Sequence, residues 1–116
     1  ISLQKGYGSE QLPICSFKDN FVSFQEIVNQ SWDFLETVAI IENCDLIITT
    51  DTCVAHLAGA IGKKTFLLLH SCADWRWGID SENTFWYPSV KLFRQKIKNN
   101  WHDVIKQLSL ELNKEF

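Results

Sequence analysis

Residues 44 to 70, "CDLIITTDTCVAHLAGAIGKKTFLLLH", set two apolar runs around a short segment of small residues. Leu46 to Thr50 opens with three consecutive apolar positions, and Thr65 to Leu69 is apolar almost throughout. A strand with one wet face alternates apolar and polar residues, whereas strands apolar at successive positions are buried on both faces. That is the habit of parallel strands covered by helices. Between the runs, Cys53 to Ile61 reads as a helix, with Gly62 in the C-terminal glycine role. So short a connection leaves little room for an intervening strand, so the two runs are expected to be adjacent and parallel.

The rest of the chain extends this pattern. Val90 to Arg94 reads as a further short strand, after a long loop over 71 to 88. Trp101 to Leu112 is a closing amphipathic helix, with Asn100 as cap and Trp101, Val104, Ile105, Leu108 and Leu112 on one face. Upstream, Asp33 starts a helix to Asn43 whose apolar face is Phe34, Leu35, Val38, Ile40 and Ile41. Phe21 to Trp32 suits a short helix with a Ser23–Glu26 capping box, or equally a strand. Pro13 to Asn20 has no clear period, Ser9 to Leu12 can begin a helix, and Ile1 to Gln4 reads as the end of a strand. Alternating strands and helices predict one α/β domain with a mainly parallel, Rossmann-like sheet.

Composition narrows the class. With 46% hydrophobic and 22% charged residues and a net charge of -3, the chain has the profile of a globular protein without overall attraction to nucleic acid. No apolar run approaches the roughly 20 residues of a membrane span. Four well-separated cysteines without a Cys-x-x-Cys pair suggest reduced thiols and a cytoplasmic location. A chain without methionine that opens Ile1-Ser2-Leu3 reads as a piece of a longer protein. An uncovered sheet edge and self-association through it are therefore expected.

In parallel α/β sheets, ligands bind beyond the carboxyl ends of the strands. Asp51, Thr52, His70 and the loop after it all fall on that edge. With Thr52 as N-cap, the N–H groups of Cys53, Val54 and Ala55 present the positive end of the helix dipole, a ready anion site. His56 lies one turn on, on the same side as Thr52. Hydroxyl, amides and imidazole together suit phosphate oxygens. The bland alternative is a common threonine cap beside a solvated or core histidine.

Residues 45 to 70 resemble the nucleotide-sugar-binding segment of the heptosyltransferase-like glycosyltransferases (family 9), in which a strand leads into Asp-Thr-x-x-x-His-Leu-Ala, a short helix and another strand. "SLQKG" (2–6), "DFLET" (33–37), "DWRW" (74–77), "WYPSVKLFRQ" (86–95) and Trp101 resemble, in the same order, the C-terminal region of bacterial proteins that join tetratricopeptide repeats to such a domain. The resemblance implies a partial C-terminal domain of a GT-B enzyme built from two Rossmann-like domains, with a nucleoside diphosphate sugar as donor. It implies that Thr52, Cys53, Val54 and His56 contact the donor diphosphate, Asp51 the sugar hydroxyls and Glu10 the nucleotide ribose. The family often has Gly where this chain has Cys53. The general base would come from the N-terminal domain, so residues 1–116 alone are expected to be inactive.

Three tryptophans fall in "ADWRWGIDSENTFWYP" (73–88). Arg76 between two of them can reach a diphosphate or pair with Asp74 or Asp80. The rings can stack on a base or sugar, or pack on one another as a local core. Cys53-x-x-His56 with His70-x-Cys72 has zinc-binding residue types but not a standard zinc spacing, and no metal or cofactor is expected. Lys63 and Lys64 read as a solvated pair near the helix C-terminus. The rival from another class is a non-catalytic α/β module that keeps the scaffold and uses its aromatic loop for protein contact.

Overall fold

The computed structural model describes residues 1–22, 25–30 and 33–116, and for Gln25 the backbone alone. The Ser23–Glu26 capping box lies outside the described residues. The chain divides into two compact units, Ile1–Ile40 and Ile41–Phe116.

The first unit is built mostly from tight turns. Short 3-10 segments cover Ser9–Ile14 and Lys18–Asn20. The entry to the first uses Gly6 and Gly8 at φ 72° and 97°, where a side chain would be strained. Ile1 to Gln4 is not a strand. A strand persists only with a ladder partner, and the Gln4 side chain instead donates to the Tyr7 carbonyl at 2.7 Å. Helix α1 (Gln25–Gln30) settles the open choice in favour of helix for those six residues and buries Val28. Helix α2 (Leu35–Glu42) starts where Asp33 Oδ1 accepts the Leu35 N–H at 2.9 Å. Its buried positions are Thr37 and Ile41, one turn apart, while Phe34 and Leu35 are exposed. The expected apolar face is thus rotated, and its first-turn members are left in solvent.

The second unit, entered within α2, holds a three-stranded sheet in the order β1 (Ile47–Thr50), β2 (Thr65–Leu69), β3 (Val90–Arg94). Both pairings are parallel, with Ile47 opposite Thr65 and Thr65 opposite Val90. The two apolar runs are therefore neighbours in one sheet, as their spacing predicts. Residue alternation sends Leu67, Leu69, Val90 and Leu92 to one face, where they meet Ala55 and Trp77. Phe66 and Phe93 go to the other, against Val104 and Leu108.

Helix α3 (Cys53–Ala60) covers the first face and α4 (His102–Glu115) the second. Ala55 and Ala58, both fully buried, let α3 lie close to the sheet. It ends in a two-bond C-cap, Gly62 N–H to the Gly59 carbonyl and Lys63 N–H to that of Ala58, with Gly62 at φ 72°. The Lys63 ammonium is not simply solvated: it donates to the carbonyls of Glu42 and Cys44 at 2.8 and 2.9 Å. Lys64 pairs with Glu115. In α4, Asn100 Oδ1 accepts the His102 N–H at 3.0 Å, but Trp101 and Ile105 are exposed. The buried stripe runs through Val104 and Leu108, and Ile105 stands about 100° away from Val104 around the helix axis.

Among the described residues no helix is long and apolar enough to cross a membrane.

Candidate functional site at the carboxyl edge of the sheet

β1 ends at Thr50, and after Asp51 and Thr52 the chain turns directly into α3. Thr52 is the N-cap residue by position, extended at φ -139° and ψ 172°. Its side chain makes no cap bond; Thr52 Oγ1 lies 3.3 Å from Thr49 Oγ1 instead. The expected hydroxyl cap is therefore corrected. Thr49 precedes it on the strand and engages the hydroxyl first, so no side chain caps the helix and the N–H groups of Cys53 and Val54 keep the partial positive charge of an open N-terminus. Ala55 N–H is used within the first turn, bonded to the Thr52 carbonyl at 3.0 Å. Asp51 and Cys53 are exposed and Val54 is half-buried.

His56 stands one turn on from Thr52, as expected, but it is not a freely solvated side chain. Its ring stacks on Trp77, centroids 5.2 Å apart and planes at 27°. Its Nδ1 lies 3.0 Å from Tyr87 Oη, and the two rings meet edge to face at 5.8 Å. His56 thus joins α3 to two points of the long loop, Trp77 and Tyr87. Gly59, one turn further on, makes this possible: a Cβ there would stand 2.5 Å from Tyr87 Cγ. Trp77 is anchored from below, where Arg94 Nη2 donates to the carbonyls of Trp77 and Gly78 at 2.9 Å each.

The loop divides its aromatic residues between two roles. Trp77 is 1% exposed and belongs to the core on the α3 face. Trp75 is 72% exposed and Phe85 95%, and Trp75 meets Trp86 edge to face at 6.2 Å. Arg76 sits in the 3-10 turn Trp75–Trp77, its guanidinium 3.3 Å from Asp74 Oδ2 and 5.7 Å from the Trp75 ring centroid. Of the two expected carboxylate partners, Asp74 is the one it meets. Glu10 belongs to the first unit, where its Oε2 accepts the Gly8 N–H at 2.8 Å. Among the described residues no three His, Cys, Asp or Glu side chains are grouped so as to hold a metal.

The sequence-level reading missed Tyr87 and Arg94, and it did not connect Trp77 or Gly59 with His56. Tyr87 is 31 positions from His56, in a loop without periodicity, so no local pattern pairs them. The one available signal was a glycine in a helix interior, which often marks a close approach.

Comparison of the chain with family models, curated proteins and solved structures gives no match in any of the three.

Proposed function

We propose that the chain is the donor-binding domain of a glycosyltransferase, a Rossmann-like part of a GT-B enzyme, taking a nucleoside diphosphate sugar. The observation that carries the reading is the N-terminus of α3, without a side-chain cap bond, at the carboxyl edge of a parallel sheet, with Thr52 at the cap position and His56 one turn on. Such an end attracts anions through backbone N–H groups, so Cys53 in place of glycine leaves the bonding groups intact. In the reaction, Cys53 and Val54 N–H, Thr52 and His56 offset the charge that develops on the leaving diphosphate, and Asp51 holds sugar hydroxyls. Arg76 would have to exchange Asp74 for a phosphate to take part. Glu10 lies in the first unit and has no part in this reading. The general base belongs to an acceptor-binding domain outside residues 1–116, so these residues alone bind donor without turnover. The same reading carries a cytoplasmic setting and self-association through an uncovered edge; β1 has one strand neighbour among the described residues.

Thermal denaturation with nucleoside diphosphates and the matching nucleosides tests the reading. A rise in melting temperature with at least one diphosphate, and not with its nucleoside, supports it; indifference to all of them overturns it. The exposed Trp75, Ile79, Phe85 and Trp86 favour a second reading, a non-catalytic module that binds protein through this loop. That module would ignore nucleotides.

A further inference from the structure

Tyr87 is seated by a contact that only glycine permits, since any Cβ at Gly59 would meet its ring at 2.5 to 2.8 Å. Held there, its hydroxyl reaches His56 Nδ1 at 3.0 Å. The imidazole is braced on its face by Trp77 at 5.2 Å, and Trp77 is itself buried and tied to Arg94 through its own carbonyl. His56 is thereby limited both in rotation and in which ring nitrogen meets the tyrosine.

The two nitrogens of a histidine are not equivalent, because the hydrogen bond made by one sets which proton the other carries. A tyrosine hydroxyl can donate or accept. We infer that Tyr87 is a positioning residue of the proposed phosphate site: its hydroxyl donates to His56 Nδ1 and keeps the remaining ring proton on Nε2, available to a phosphate oxygen. In the imidazolium both nitrogens carry protons and Tyr87 Oη accepts from Nδ1, so Nε2–H persists. Only the neutral Nδ1–H tautomer would leave Nε2 with a bare lone pair, and a donating Tyr87 disfavours that tautomer. The inference rests on the reading of the α3 N-terminus as a phosphate site.

Two measurements on the full 116-residue chain separate the inference from that reading. The first is the imidazole nitrogen–proton correlation spectrum at alkaline pH without ligand, for the parent protein and for Tyr87→Phe, which keeps the ring and loses the hydroxyl. The parent should show the His56 proton on Nε2, and the variant a mixture of tautomers. The second is the dissociation constant for uridine and adenosine 5′-diphosphate, expected to weaken about 2- to 10-fold in Tyr87→Phe, the worth of one hydrogen bond. A proton on Nδ1 in the parent, a tautomer indifferent to the variant, or an unchanged affinity overturns the role of Tyr87. A Tyr87-dependent Nε2 proton in a protein that binds neither diphosphate overturns the phosphate role instead.

Discussion

At Thr52 and His56 the neighbours of each side chain decide what its removal will cost. Thr52 occupies the cap position, but its hydroxyl faces Thr49 and not the helix. Thr52→Ala is therefore expected to cost less than the about 0.5–2 kcal/mol of a capping threonine, read by urea denaturation. His56→Ala removes a stacked ring and a hydrogen bond, so a larger loss of about 1–3 kcal/mol is expected. An equal or reversed order would show that the cap bond forms and the stack does not matter. Gly59→Ala sets helix propensity, worth about 1 kcal/mol in favour of alanine, against a methyl driven into Tyr87. Overpacking costs about 1–3 kcal/mol and the nearest atoms belong to a ring held against His56 and Trp77, so the variant should be less stable. A raised melting temperature would contradict the close contact. At this scale the sequence revealed which residues stand at the strand end, because spacing along one strand and one helical turn sets that. It did not reveal what His56 touches, which depends on how the 71–88 loop folds back.

The strands were the most legible elements. Runs 65–69 and 90–94 coincide with β2 and β3, and the run at 46–50 begins one residue before β1. Burial on both faces leaves strands little freedom in what residues they use, so the signal is strong. The helices were read less well on their faces than in their extents, as the exposed Ile105 and Leu35 illustrate, because each packs through a narrower stripe than its apolar residues cover. Long-range charge pairs were invisible to periodicity. Glu111 on α4 receives Lys91 from β3 and Lys114 from its own helix, and hydrogen bonds from both, Lys91 first, lower its carboxyl pKa below the ordinary range. A depressed carboxyl contributes stability that is present above the ordinary glutamate range and lost as pH falls through the folded value. The melting temperature of the parent should therefore fall more steeply on acidification than that of Glu111→Gln, and the difference should shrink in high salt because these side chains are not deeply buried. Parallel acid profiles for the two proteins would show that the pairing does not stabilise the fold.

Over the described residues, burial is concentrated in the second unit. There β2 is paired on both sides and nearly all its side chains are buried, whereas the 3-10 segments of the first unit bury none of theirs. Native-state hydrogen exchange should accordingly be slowest at Phe66 to Leu69 and fast across residues 9–20; comparable protection in both would contradict this distribution. α3 begins at the carboxyl edge of the sheet, where phosphate binding is proposed. The most direct test is a backbone amide NMR titration of residues 1–116 with nucleoside diphosphates and, separately, with the nucleosides. Saturable shifts of the Cys53, Val54 and His56 amides are expected with at least one diphosphate, and none of comparable size with its nucleoside. Amides at the start of α3 that stay in place with every diphosphate, or that move equally with the nucleosides, would contradict phosphate binding there.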